Sequence, residues 1–259
     1  MALTTFQRSE MKFILNENQF QILRARLDQY MKPDEYCKCG KDYAVYNLYY
    51  DTQDNYLIRS SLQKPKYKEK IRLRSYKYPI FPHDEVFLEL KKKSMQTVFK
   101  RRAILTLREA YDYLEMGIRP KCDTYMNRQV MNEIDYFLSL HPVKPASCIT
   151  YRRMAFFGRY DKDFRITFDY DLRSRRKNLR LECGSFGDAL LNEGQYLMEV
   201  KISGAVPKWL ADTLADMGLY RQSFSKYGRE YTRYRMSDTH MGSDGFVGDA
   251  AIACSDYHS

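Results

Sequence analysis

The sequence predicts an α+β fold: an antiparallel sheet of about eight strands with helices packed outside it. The first observation is alternation. Glu10 and Lys12; Lys70, Arg72 and Arg74; Glu89 and Lys91; Arg165, Thr167 and Asp169; and Glu199 and Lys201 fall on every second position of apolar runs. Residues i and i+2 of a strand share a face, so each run reads as a strand with one charged side. The other side is apolar: Met11 and Phe13; Ile71 and Leu73; Val86, Leu88 and Leu90; Phe164, Ile166 and Phe168; Met198, Val200 and Ile202. The second observation is that helical segments lie between the runs and are available to cover those apolar faces. The third is that Arg and Lys dominate the charged side, where a wet sheet face more often carries Thr, Ser and Gln. Like charges opposed across strands repel unless an anion lies between them. A solvated face is the alternative reading; if the sheet closes into a barrel, the charged face becomes a cationic tunnel suited to a long polyanion.

The elements follow in order. A strand from Phe6 to Leu15 stops at Asn16, a good N-cap, after which Phe20, Leu23, Leu27 and Tyr30 recur at helical spacing. A loop from Pro33 to Lys41 leads into a Tyr- and Val-rich strand, Tyr43 to Tyr50. Gln63 to Lys68 is a polar turn before a strand from Lys70 to Tyr76. Pro79 and Pro82 punctuate the hairpin to Glu85 through Lys92, and Thr97 to Leu107 follows at short range, as in an antiparallel meander. Helices are predicted over Leu107 to Met116 and Thr124 to Leu140. After Pro142 and Pro145 come strands Cys148 to Phe157 and Phe164 to Asp171. Arg173, Arg175, Arg176, Lys177 and Arg180 read as a solvated basic loop at a tunnel entrance. A short strand near Leu181 and another from Tyr196 to Ser203 follow. Pro207 opens a helix with Trp209, Leu210, Leu214 and Met217, and another helix begins after Ser225. Residues 1–235 are read as one domain, and 236–259, with Gly242, Gly245 and Gly248, as a disordered tail.

Composition narrows the function. With 43 basic against 33 acidic residues among 259, the chain is strongly cationic, and the stretch beyond Met236 holds Asp238, Asp244, Asp249 and Asp256 but no Lys or Arg. Such a balance selects phosphates, nucleic acid or an acidic membrane surface as partners. The 23 tyrosines suit base stacking and are equally ordinary strand residues. The 6 cysteines show no C-x-x-C spacing and read as reduced thiols. The N-terminal residues lack the apolar region of a signal peptide, and no apolar run approaches the ~20 residues of a membrane span. The expectation is a soluble cytoplasmic protein whose membrane association would run through a partner.

Several phosphate chemistries are excluded. There is no G-x-x-x-x-G-K-[ST] loop and no G-x-G-x-x-G after a strand. Only 4 histidines occur, at 83, 141, 240 and 258, so His-based triads and metal clusters are disfavoured. Phosphate chemistry by side-chain cations remains, with carboxylates for a divalent ion; phosphoryl transfer asks for little beyond positioning and charge neutralisation.

Eight motifs then occur in order: Glu10-Met-Lys12-Phe13, Ile71-Arg72-Leu73-Arg74, Phe87-Leu-Glu89-Leu-Lys91, Lys100-Arg-Arg102, Tyr151-Arg-Arg153-Met-Ala-Phe156, Arg165-Ile-Thr-Phe-Asp169, Leu197-Met-Glu199-Val-Lys201 and Ser223-Phe-Ser225-Lys226-Tyr227. From about residue 6 to 234 the series resembles the VTC (vacuolar transporter chaperone) domain, the polyphosphate-polymerase branch of the CYTH-like triphosphate tunnel metalloenzymes. The resemblance implies an antiparallel β-barrel tunnel that transfers the γ-phosphate of ATP to a growing polyphosphate chain with Mn2+ or Mg2+. It implies Arg72, Arg74 and Lys226 as catalytic residues, and phosphate contacts from Lys12, Arg59, Lys91, Lys100, Arg153, Arg165 and Lys201. Tyr151 and Ser225 would add hydroxyl donors, and Glu199 with Glu10 would hold the metal. ATP, polyphosphate and a membrane protein are the implied partners, with no specific nucleic acid.

The chain departs from the family pattern twice. The wider superfamily has Glu-x-Glu-x-Lys on its first strand, whereas this chain has Arg8-x-Glu10-x-Lys12, which removes a metal ligand, adds a cation and favours polymerase over hydrolase. Ser223 stands where a Lys is expected before the Ser-Lys pair, so one tunnel mouth loses a cation. The alternatives are a tripolyphosphatase or nucleoside triphosphatase of the same fold, and a non-catalytic polyphosphate-binding module.

Overall fold

The computed structural model describes residues 9–241 except Gln96 and Asp123. Residues 6–8 of the predicted first strand, with Arg8 of the departing motif, and residues 242–259 of the predicted tail lie outside the described residues. Among the described residues ten strands occur: β1 (Ser9–Leu15), β2 (Met31–Pro33), β3 (Tyr43–Thr52), β4 (Tyr67–Ser75), β5 (Glu85–Ser94), β6 (Thr97–Thr106), β7 (Val143–Gly158), β8 (Arg165–Arg175), β9 (Asp188–Ala189) and β10 (Tyr196–Ile202). The helices are α1 (Glu17–Tyr30), α2 (Tyr56–Leu62), α3 (Leu107–Met116), α4 (Tyr125–Leu140), α5 (Lys208–Asp216) and α6 (Lys226–Met241). The sheet runs β1-β10-β8-β7-β3-β4-β5-β6, with β2 on β7 and β9 on β8. All the pairs whose register is defined are antiparallel, as predicted.

The sheet does not close through hydrogen bonds, unlike the expected barrel: among the described residues β1 and β6 end the order. The free edge of β1 is occupied locally instead. Gln222 N donates to the Lys12 carbonyl at 2.8 Å, and Arg221 Nη2 to the Glu10 carbonyl at 3.3 Å. Such cover keeps a strand edge from pairing elsewhere.

The chain falls into two compact units. The first comprises the chain up to Val45, Thr150–Arg173 and Ala189–Phe224; the second comprises Tyr46–Ile149, Ser174–Asp188 and the chain from Ser225. In the first unit, α1 starts as predicted. Asn16 Oδ1 accepts from Gln19 N at 2.9 Å while Gln19 Oε1 accepts from Asn16 N at 3.0 Å, so the exposed first turn is satisfied in both directions. Its Phe20, Leu23 and Leu27 pack with Phe13, Phe164, Ile166, Phe168, Met198, Val200 and Ile202 of the strands and with Leu210 and Leu214 of α5. These are the apolar positions of the alternating runs, and each fully buried side chain contributes roughly 1.5 to 3 kcal/mol. Their burial fixes the strand faces, because a one-residue slip would expose the whole set.

In the second unit, Ile71, Leu73, Val86, Leu88 and Leu90 are likewise buried, as are Val130, Met131, Ile134 and Phe137 of α4. Helix α3 opens on a reciprocal cap between Thr106 and Glu109 and ends at Gly117, whose φ of 72° suits a residue without a Cβ.

Some predictions are corrected. Strand β7 begins at Val143, ahead of Pro145, and so is longer than expected. Leu181–Cys183 is a 3-10 turn, not a strand. The basic stretch is not a solvated loop throughout: Arg173–Arg175 end β8, and Arg175 is buried, donating to the carbonyls of Asn178, Gly184 and Arg180. Arg176 forms a two-pronged pair with buried Glu230 of α6, at 2.7 and 3.0 Å. Helix α6 also continues past residue 235 to Met241. Helix α2 was not predicted. Asp51, fully buried, accepts from Leu57 N and Ile58 N at 2.8 and 3.0 Å and from the Tyr227 hydroxyl at 2.8 Å, so it caps α2 from a distance and ties α6 to it.

Candidate functional site: charged faces of the two units

In the second unit, register aligns the charged positions into rows. Tyr49, Arg72, Glu89 and Arg102 stand opposite one another across β3, β4, β5 and β6. One step along, Lys70, Lys91 and Lys100 form a row of cations, and beyond it Lys68 faces Lys93. All share a face by the period of two, and Ile71 and Leu90, which lie between the first two rows, are buried on the other.

Glu89 is the centre of this face and is only 1% exposed. Its Oε2 accepts from Arg72 Nε at 2.9 Å and Nη2 at 2.7 Å; its Oε1 accepts from Arg102 Nε at 2.8 Å and lies 2.7 Å from Lys100 Nζ. Arg74 Nη1 stands 3.9 Å away. Burial alone would raise the Glu89 carboxyl, but Arg72, Arg74 and Lys100 outweigh it and hold the group well below the usual carboxylate range. Arg72 also donates to the Tyr49 hydroxyl at 3.0 Å, and Arg74 to Asn47 Oδ1 at 2.8 Å and the Tyr76 hydroxyl at 3.2 Å. Burial pushes Tyr49 upward, yet Arg72, Arg74 and Lys226 bring it below its ordinary value. Lys226 at the start of α6 thus belongs to this electrostatic neighbourhood. Ser225 accepts from Gly228 N at 3.1 Å, capping α6, and from Lys70 Nζ at 3.2 Å. Arg59 is not on a strand: α2 carries it, exposed and ion-paired with Asp54.

The first unit repeats the design with different members. Lys12, Glu199 and Thr167 form one row across β1, β10 and β8, and Glu10, Lys201 and Arg165 the next. Lys12 Nζ lies 3.1 Å from Glu10, 3.6 Å from Glu199 and 2.9 Å from the Phe224 carbonyl, to which it donates. Arg153 of β7 grips Asp169 of β8 with both prongs, at 2.6 and 2.7 Å, and its Nη2 is 3.9 Å from Glu199. Burial opposes the Arg153 cation, but Asp169 and Glu199 outweigh it and keep it firmly protonated. Tyr151 is buried with the Arg153 guanidinium 5.2 Å from its ring centre. Arg165 lies 3.5 Å from Asp34 and covers the Phe157 ring.

The predicted residues therefore assemble within each unit: Arg72, Arg74, Lys91, Lys100, Ser225 and Lys226 in the second, Glu10, Lys12, Tyr151, Arg153, Arg165, Glu199 and Lys201 in the first. Sequence reading missed Glu89 and Arg102 as site residues, although both sit in quoted motifs. Their alternation with Lys91 and Lys100 was the available signal, and register was needed to join them.

No three His, Cys, Asp or Glu side chains cluster as a metal cage among the described residues. Magnesium commonly takes one or two carboxylates and completes its shell with water and substrate phosphates. Glu10 and Glu199 fit such a partial set of hard oxygen donors. Beside Glu199 in register, the buried Thr167 Oγ1 has no hydrogen-bond partner within the described residues, as a site awaiting a further polar group would show.

No helix among the described residues is long and apolar enough to cross a membrane. No curated protein matches the sequence. Solved structures do. A candidate adenylate cyclase from Bacillus halodurans is 15% identical, with 85% of this chain and 95% of that one covered and a TM-score of 0.51. A candidate adenylate cyclase from Vibrio parahaemolyticus is 13% identical over 86% of this chain and 97% of that one, with a TM-score of 0.43. The likeness to the Bacillus protein is one of fold. The model of the VTC domain matches residues 7–234, which takes in both charged faces, and the chain therefore belongs to the VTC domain family.

Proposed function

We propose that this protein is an ATP-dependent polyphosphate polymerase. Its membership of the VTC domain family and its fold support a phosphate-handling protein of the triphosphate-tunnel type. The observation that carries the finer reading is the row of Lys70, Lys91 and Lys100, set beside the Arg72-Glu89-Arg102 row. Cations spaced at strand intervals along one face suit a ligand whose charges also repeat along a chain.

In the proposed reaction a terminal oxygen of the polyphosphate attacks the γ-phosphorus of ATP, the bond from that phosphorus to the β,γ-bridging oxygen breaks, and ADP leaves. No protein nucleophile is needed. Arg72 and Arg74 hold equatorial oxygens on rigid strands, Lys226 approaches from the N-terminus of α6, and the lysine row holds the polymer. In the first unit Arg153, braced by Asp169, presents a fixed guanidinium to phosphate, with Lys12, Arg165, Lys201 and Tyr151 as further contacts, and in the second unit Ser225 adds a hydroxyl. Glu10 and Glu199 would hold Mn2+ or Mg2+, which supplies charge neutralisation on the phosphates. A cytoplasmic setting and a membrane-protein partner belong to the same proposal.

The test is incubation of the purified protein with ATP and Mn2+, followed by a gel stained for long polyphosphate. Polymer together with ADP supports the reading. Orthophosphate without polymer would establish the hydrolase, and tripolyphosphate binding without either product would establish the binding module.

A further inference from the structure

The geometry points to Glu89 as a built-in counter-ion that occupies a phosphate position on the second unit's charged face and competes with the polymer for Arg72, Arg74, Lys100 and Arg102. The inference rests on the reading of that face as a polyphosphate site, and it concerns binding and release rather than the transfer step.

A carboxylate buried to 1% exposure and contacted by Arg72, Arg102 and Lys100 is more than a partner for one of them. Both of its oxygens are used, with Arg72 on Oε2 and Arg102 and Lys100 on Oε1. Two anionic oxygens gripped by guanidinium groups and an ammonium are what a phosphate in that position would present. Its strongly favoured ionised state has the same origin. The lysine row one step away has no carboxylate at its register positions. An incoming chain gains Arg72, Lys100 and Arg102 only by taking them from Glu89. Affinity is lowered at that position, and a polymer that must advance by one phosphate per turnover meets a protein group that re-forms its own contacts as the phosphate leaves. A polyanion site without such a competitor would bind more tightly and release more slowly.

Three proteins test this: wild type, Glu89→Gln, which keeps shape and loses charge, and Glu89→Asp, which keeps charge. The probes are tripolyphosphate titration across a salt series and thermal melting with and without tripolyphosphate. Glu89→Gln is expected to melt lower than wild type without anion, to gain more from tripolyphosphate, and to bind it at least tenfold more tightly with a steeper salt dependence. Glu89→Asp is expected to bind within threefold of wild type. If Glu89→Gln does not fold in buffer, refolding in tripolyphosphate is expected to recover it. Equal or weaker binding by Glu89→Gln, or no recovery with the anion, overturns the inference, because a purely structural carboxylate would give those results. Wild-type protein that binds tripolyphosphate but makes no polymer would refute the polymerase reading and leave this one standing; wild type that does not bind refutes both.

Discussion

Glu199→Gln separates metal holding from anion binding in a single side chain. Glu199 is 8% exposed, and its carboxylate lies 3.6 Å from Lys12 and 3.9 Å from Arg153. The substitution keeps shape and removes one negative charge. Asp169 retains both prongs of Arg153, and Glu10 and the Phe224 carbonyl retain Lys12, so neither cation is released from its anchor and the fold should hold. The first unit's face nevertheless becomes more positive by one charge. A unit charge at about 4 Å near a protein surface is worth up to about 4 kcal/mol at an effective dielectric of 20, and solvent and salt leave a fraction of that. Tripolyphosphate affinity should therefore stay equal or rise, by up to about tenfold for ~1.4 kcal/mol. Turnover with ATP should fall by about 100-fold or more, the usual cost of removing one preorganised electrostatic contact to a transition state. Calorimetric titration with tripolyphosphate and a polymer gel at several Mn2+ concentrations read the two quantities. Normal polymerisation by Glu199→Gln, or a loss of tripolyphosphate binding, would refute the metal role given to this carboxylate.

The other predictions concern charge geometry and stability. Arg72→Lys keeps a cation but loses the fork that spans Glu89 and Tyr49, so turnover should drop about tenfold while the salt dependence of binding changes little; unchanged turnover counts against a direct role. Arg72→Ala should lose at least tenfold in both binding and turnover, for a charge-assisted contact of roughly 1.5 to 3 kcal/mol. Asp169→Asn leaves the buried Arg153 without its main partner. It should cost about 3 kcal/mol, or roughly 6 to 12 °C in melting temperature, and a melt within 2 °C of wild type would show the pair to be dispensable. Glu89 is held below its ordinary value of 4.5, so its charge contributes stability that is present above that pH and is lost as pH falls toward the depressed folded value. The melting difference between wild type and Glu89→Gln should therefore be constant near neutrality and shrink in acid below about pH 4.5. A difference that grows on acidification would contradict the assignment.

Much of this molecule is written in local pattern. Alternation placed β1, β4, β5, β8 and β10 and named the face each buries, because period two is a property of the strand itself. Asn16, Pro207 and Ser225 marked helix starts that the structure confirms, since capping is decided within a turn. The positions of Lys12, Arg72, Arg74 and Lys91 on charged strand faces were legible for the same reason, whereas Lys100 and Arg153 came only from the resemblance to the family. Other features were not local. Helix α2 is seven residues long and depends on Asp51 and Tyr227, a contact across 176 positions of sequence. Arg175 and Arg176 read as solvated because their partners, the carbonyls near Gly184 and the Glu230 carboxylate, are set by tertiary packing. Glu89 looked like one charge in a run until register placed Arg72 and Arg102 on either side of it. The sequence by itself determined which side chains share a face and what sign that face carries. Only the tertiary structure decided which charges meet, because strand register and burial choose partners that spacing along the chain does not contain.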